Sequence, residues 1–189
     1  MILGHLAVGF ASKRLAPRTS LGWLMVAPIL LDLLWPIGLM LGLETVRIVP
    51  GITRFSPFDF VSYPWTHSLL MACAWGTLYG ADYFWRNHDA RASVVLALGV
   101  ISHWVLDWVV HRPDLQISTW SEFRVGLGLW NSPAATMVLE LLMFAAGIAI
   151  YLRMTRSRDR IGTIALWSFI TFMTVLYMGN AFGPPPPDV

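Results

Sequence analysis

Five stretches of this chain are apolar over the length needed to cross a membrane: Leu21–Leu43, Thr66–Phe84, Ala92–Val110, Ser132–Leu152 and Ile161–Phe182. A hydrocarbon core of roughly 30 Å takes about 20 helical residues, and inside lipid each backbone N–H and C=O must find its partner within the protein. Such segments are therefore expected to be helices. A sixth, Ile2–Leu15, is apolar but short, so it is expected to be a stubby span or a re-entrant or interfacial helix. The expected fold is all-α: a polytopic membrane helical bundle with five or six transmembrane helices. It forms a single domain over 1–183, followed by a disordered Pro-rich tail over 184–189.

Composition agrees with this class. Only 13% of the residues are charged, about half the share usual in a soluble domain, and the mean hydropathy is +0.60. The net charge of +2 comes from dispersed basic residues, so a nucleic-acid footprint is not expected. Ten Trp are many for 189 residues, and several sit near the ends of apolar runs, as interfacial aromatics do. The single Cys73 has no internal disulfide partner. No basic region precedes the first apolar stretch, so a cleavable signal peptide is not expected.

Loop charges predict the orientation. Lys13, Arg14 and Arg18 follow the first segment, Arg86 and Arg91 lie between Phe84 and Ala92, and Arg153, Arg156, Arg158 and Arg160 follow Leu152. The alternate loops carry two Arg each, balanced by acids: Arg47 and Arg54 with Glu44 and Asp59, then Arg112 and Arg124 with Asp114 and Glu122. The Lys/Arg-rich set is expected on the cytoplasmic side of the cell's inner (plasma) membrane.

Against this background a few ionisable residues lie within the apolar segments or at their ends: His5, Asp32, His67, His103, Asp107, His111 and Glu140. A carboxylate in mid-bilayer costs at least about 2.5 kcal/mol on insertion scales and is rarely left unpaired. No Lys or Arg lies at comparable depth. With helices running alternately in and out, all seven residues fall at one level, in the outer half of the membrane. A single His in an apolar helix is ordinarily a hydrogen-bonded structural residue. Seven ionisable groups at one depth argue for a functional site.

Helical spacing sharpens the expectation. In SHWVLDWVVHRPD, His103, Asp107 and His111 recur every four residues and share one face. A His and an Asp side by side offer the nitrogen and oxygen ligands that Zn²⁺ accepts, with Mn²⁺ or Fe²⁺ as alternatives. Thr66 and Ser68 flank His67, either to orient it or to cap a helix. The GxxxG pairs Gly76/Gly80 and Gly38/Gly42 read as close helix packing.

Taken in order, His5, Asp32, the Thr-His-Ser at His67, the HWVLD from His103 to Asp107, His111 and Glu140 give a pattern. It resembles the membrane-bound metal-dependent hydrolase family, the inner-membrane-associated hydrolases sometimes described as LexA-binding. The ligand order is also similar to that of the zinc-dependent phospholipase C and single-strand nuclease superfamily, all-α phosphodiesterases with three clustered zinc ions. This second resemblance implies a first metal at Asp32, His67, His103 and Asp107, a second at His111 and Glu140, and a third at His5 and Asp107. Two departures stand out. Thr136 occupies the place of a histidine, and Met1 shows no sign of the processing that frees a ligating N-terminal amine in that superfamily.

The expected function is therefore a membrane-embedded metal-dependent hydrolase acting on a phosphoester of a lipid or amphipathic substrate at the outer leaflet. Asp32, His67 and Asp107 are the expected catalytic residues, Asp32 doubling as general base. Trp104 and Trp108 are candidates for lining the substrate's route or for anchoring in lipid. The alternative class is a non-enzymatic protein whose His/Asp/Glu cluster transports protons or metal ions. The almost purely apolar inner halves of the helices disfavour that path. A scaffold whose polar cluster only fixes helix register is the third alternative.

Overall fold

The computed structural model describes residues 1–184. The tail expected over 184–189 lies, beyond Pro184, outside the described residues. Seven α-helices dominate: α1 (Ile2–Ala11), α2 (Leu21–Met40), α3 (Pro64–His67), α4 (Leu69–Asn87), α5 (Ala90–Val110), α6 (Pro133–Met154) and α7 (Arg160–Phe182). Two small antiparallel hairpins interrupt them: β1 (Thr45–Ile48) with β2 (Phe58–Ser62), and β3 (Leu115–Gln116) with β4 (Arg124–Val125).

Among the described residues, four helices are long and apolar enough to cross a membrane: α2, α5, α6 and α7. The fifth and sixth spans expected from the sequence are not among them, and for α4 there are two reasons. The helix α4 has the length, but Trp75, Tyr79, Asp82, Tyr83 and Arg86 lower its hydropathy. The segment expected as Thr66–Phe84 is also broken, because Ser68 is extended between α3 and α4 and its hydroxyl caps α4 by accepting from the Met71 N–H.

The first helix has ten residues, about 15 Å, half a hydrocarbon core. It is wrapped by α2, α5, α6 and α7, and Leu3, His5, Leu6, Ala7 and Phe10 are buried. A helix that is apolar on all sides finds its place inside a bundle. Close approach makes this possible. A Cβ on Gly147 would lie 2.6 Å from the Ala7 carbonyl, so α6 can seat α1 only with glycine there.

The two GxxxG pairs differ. Gly76 and Gly80 do pack α4 on α5, since a Cβ on either would meet the carbonyl of Ala97 or Ser93 at 2.7 Å. Gly42 lies beyond α2 in a turn with φ +69°, and Gly38 makes room for the Glu44 carboxylate. That second pair serves a side chain rather than a helix.

The basic connections gather at one end of the bundle, where the Thr19 hydroxyl meets the Tyr83 hydroxyl at 3.1 Å and Arg18 lies near Asp89. Both hairpins lie at the other end, above the ionisable cluster. Phe58 and Phe60, two apart on β2, face one side and line a cavity, while Asp59 between them pairs with Arg112.

A candidate metal centre

The cluster is assembled by four elements. Gly99 lets α5 approach α2, since a Cβ there would touch the Ala27 Cβ at 3.0 Å. One turn later His103 reaches across, its Nδ1 at 2.8 Å from the Pro28 carbonyl. A carbonyl only accepts, so Nδ1 carries the proton and the Nε2 lone pair faces the site. The helix α3, started by Pro64, presents His67. Its Nδ1 lies 2.7 Å from the Thr66 hydroxyl, which donates in turn to the buried Glu44 carboxylate at 3.0 Å. Glu44 also accepts from the backbone N–H of Trp65 and of Thr66. With the hydroxyl proton committed to Glu44, the Thr66 oxygen accepts from His67, and Nε2 is again bare.

His111 caps the end of α5 and follows the same rule. Its Nδ1 is 3.0 Å from the Asp114 carboxylate, which also accepts from the Tyr63 hydroxyl at 2.8 Å and from Arg112 Nε at 3.2 Å. Burial, the neighbouring Asp114 charge and this hydrogen bond hold the Tyr63 phenol well above its ordinary pKa, so it stays a donor. Burial likewise pushes the Glu44 carboxyl above the usual carboxylate range, opposed by the bonds from Thr66 and Trp65.

Three Nε2 atoms thus turn toward two aspartates. His103 Nε2 lies 3.2 Å from His67 Nε2, 3.0 Å from Asp107 Oδ2 and 3.6 Å from Asp32 Oδ1. His67 Nε2 lies 3.5 Å from Asp32 Oδ1 and 4.0 Å from Asp107 Oδ2. Ligands about 2.0–2.1 Å from a tetrahedral ion stand about 3.3–3.4 Å from one another. The five separations bracket that value. Asp32 Oδ1, His67 Nε2 and His103 Nε2 lie close enough together to hold one cation, and Asp107 Oδ2 stands beside them, against His103 and His67. An array of acceptors this close needs a cation between its members, a metal ion or protons.

The remaining expected residues have other surroundings. His5 stacks on His103 with ring centroids 3.9 Å apart, and His5 Nε2 meets Asp107 Oδ1 at 3.1 Å. The same Oδ1 accepts from the Met1 α-amino group at 2.9 Å. His5, His103 and Asp107 form a second group with ligand atoms close enough to share an ion. His111 Nε2 is 3.8 Å from Asp107 Oδ2, at the rim of the first group. Glu140 Oε2 accepts from the N–H of Leu3 at 2.9 Å and of Gly4 at 3.4 Å, capping α1. Thr136, which stands where the resemblance has a histidine, donates to the Leu129 and Ser132 carbonyls.

A cavity of about 340 Å³ opens on Asp32, His67, Asp107, His111 and Glu140. The Asp32 side chain is 46% exposed while Asp107 and His103 are buried, so Asp32 is the more accessible of the two aspartates. The walls are aromatic: Trp35, Phe55, Phe58, Phe60, Trp130 and Tyr177. Trp104 and Trp108, the sequence candidates, are not among them. Trp104 is buried and bonds the Gln116 carbonyl, and Trp108 is 37% exposed.

Reading the sequence alone misses Glu44, Asp114, Tyr63 and Trp35. Glu44 and Asp114 sit in loops beside arginines and pass for charge balance. The signals were the Thr before His67 and the three-residue spacing from His111 to Asp114.

No family model, no curated protein and no solved structure matches the chain. Its function is therefore read from its own geometry.

Proposed function

We propose that this chain is a membrane-embedded, metal-dependent hydrolase that cleaves a phosphoester of a lipid or amphipathic substrate. The observation that carries the reading is the convergence of the His67 and His103 lone pairs on two aspartates at the edge of one cavity. Asp32, His67 and His103 would hold the ion, with Asp107 beside His103 and zinc first, manganese or iron as alternatives. A divalent ion there would supply Lewis acidity and bring the pKa of water toward 7.

The chain's own residues do the rest. Asp32, open to the cavity, accepts the proton of the attacking water. Glu44 through Thr66, and the Pro28 carbonyl, keep His67 and His103 in the ligating tautomer. His111 and Glu140, on the same cavity, offer ligands to a second ion, and His5 with Asp107 to a third. The aromatic walls exclude water and suit the apolar part of an amphipathic substrate.

The proposed setting is a multi-pass protein of the cell's inner (plasma) membrane with the cluster at the outer-leaflet level, a reading that the positive-inside distribution of Lys and Arg supports. Transport of protons or metal ions is the weaker reading. Toward the basic end, the bundle is filled by the buried side chains of Leu6, Phe10, Leu24 and Leu96.

Elemental analysis of the purified protein tests the proposal, alongside a His103→Ala/Asp107→Ala variant. The expected result is at least one equivalent of zinc or manganese, lost in the variant together with hydrolysis of phospholipid or phosphodiester substrates. A metal-free wild-type protein after supplementation, or turnover retained in the variant, would overturn it.

A further inference from the structure

Among the described residues, five buried side-chain atoms have no hydrogen-bond partner in the protein: His5 Nδ1, Trp35 Nε1, Gln116 Oε1, Thr119 Oγ1 and Tyr177 Oη. Of these five residues, only Trp35 and Tyr177 line the cavity. Both atoms are donors; the carboxylate nearest the Tyr177 hydroxyl is Glu140, which makes no hydrogen bond to it and accepts from the Leu3 and Gly4 N–H groups. A buried donor left without a partner is costly, and native structures rarely keep one without a use.

Their positions are informative. Trp35 follows Asp32 by three residues on α2, so it stands on the same face, one turn further from the basic end. Tyr177 belongs to α7, a helix whose other side chains are mostly exposed. Tyr177 itself is 1% exposed. The cavity has no Lys or Arg in its lining. Met1 also lines it, but its α-amino group is committed to Asp107 Oδ1 at 2.9 Å, so neutral donors are left for a substrate oxygen that is not held by the ion.

We propose that Trp35 Nε1–H and Tyr177 O–H form the oxygen-binding edge of the site. They take a phosphoryl oxygen of the substrate that is not on the metal, and they select for a substrate that presents one there. This rests on the hydrolase reading above. Tyr177 also makes α7 part of the site, although α7 packs against little else in the bundle.

The test uses the full-length, zinc-loaded protein in detergent, with inorganic phosphate as probe and calorimetric titration as readout. Zinc content and the melting temperature of the zinc-free protein are measured in parallel. Tyr177→Phe removes only the unpartnered hydroxyl. It is expected to weaken phosphate binding about tenfold, with zinc content unchanged and zinc-free melting unchanged or raised. Trp35→Phe is expected to weaken phosphate binding to a similar degree with zinc retained.

Phosphate affinity within about twofold of wild type in both variants, with zinc bound, overturns this assignment and leaves the metal centre standing. Zinc-loaded wild-type protein that takes no phosphate overturns it as well. A fall of several degrees in the zinc-free melting temperature of Tyr177→Phe makes the hydroxyl structural and also overturns the assignment. Wild-type protein that takes no zinc overturns both this assignment and the hydrolase reading.

Discussion

The Nε2 atoms of His67 and His103 stand 3.2 Å apart, each ring fixed from behind by an oxygen acceptor, the Thr66 hydroxyl for one and the Pro28 carbonyl for the other. Two lone pairs held face to face, with Asp32 and Asp107 beside them, repel unless a cation lies among them. The bundle holds this arrangement through helix packing, so a cation bound there would complete the fold as well as the site.

A ligand that binds only the folded state stabilises it by mass action, about 2.7 kcal/mol at a free concentration a hundredfold above Kd. For a chain of this size that is a rise of roughly 5–10 °C in melting temperature. Thermal unfolding in detergent with zinc, against the same protein with a chelator, is expected to show it. His103→Ala should not respond. An equal rise in the variant would mean that zinc binds elsewhere.

The Thr66 hydroxyl passes the Glu44 carboxylate's hold on to His67. Thr66→Val keeps the shape and removes the relay, so His67 loses its Nδ1 acceptor. Loss of such a partner typically costs about 10–100-fold in metal affinity. Competition against a chelator of known affinity measures this. Affinity equal to wild type would show that packing alone orients His67.

Part of this site was legible in the sequence and part was not. The HWVLD spacing put His103 and Asp107 side by side on one helix, and the alternating run of the helices brought the seven ionisable residues to one end of the bundle. Both inferences use local periodicity, which a single chain displays. What escaped depends on partners distant in sequence. Glu44 looks like a loop acid until the turn at Gly42 brings it under Thr66. Ile2–Leu15 has the composition of a membrane segment, and only the approach of α6 at Gly147 makes its first ten residues a buried half-length helix. The aromatic walls came from Trp35 and Trp130 rather than Trp104 and Trp108, because hairpin and loop placement decides which rings meet the cavity.

Gly147 offers a direct test of that packing. A side chain there would strike the Ala7 carbonyl at 2.6 Å and push α1 away from α6. Gly147→Ala is expected to destabilise the protein by about 1–3 kcal/mol. It should also weaken zinc binding, since His5 on α1 stacks on His103. Denaturant titration and zinc analysis of the same preparation read both effects. Unchanged stability would mean that the two helices separate at no cost.

Glu140 caps α1 through one carboxylate oxygen. Glu140→Gln keeps an acceptor oxygen and is expected to be nearly neutral for stability, whereas Glu140→Ala leaves the Leu3 and Gly4 N–H groups without it and should cost about 1–2 kcal/mol. The two substitutions, compared by chemical unfolding, separate a capping role from one that needs the charge. Equal losses in both would favour the charge.

Tyr63 sets the behaviour at alkaline pH. Its phenol is held well above the ordinary value by burial and by Asp114. Above about pH 10 the unfolded chain releases this proton while the folded protein keeps it. The unfolded state then binds fewer protons, so stability falls as pH rises, by roughly 1–1.5 kcal/mol per pH unit from this group alone. This contribution is fully present below the ordinary tyrosine pKa and is lost on the way up to the folded one. Tyr63→Phe removes one proton from that slope. At neutral pH it costs only the hydrogen bond, because Asp114 still accepts from His111 and Arg112. Unfolding curves for both proteins between about pH 9 and about pH 11 should therefore converge as pH rises. Parallel curves would mean that the Tyr63 proton is no more tightly held in the folded protein than in the unfolded chain.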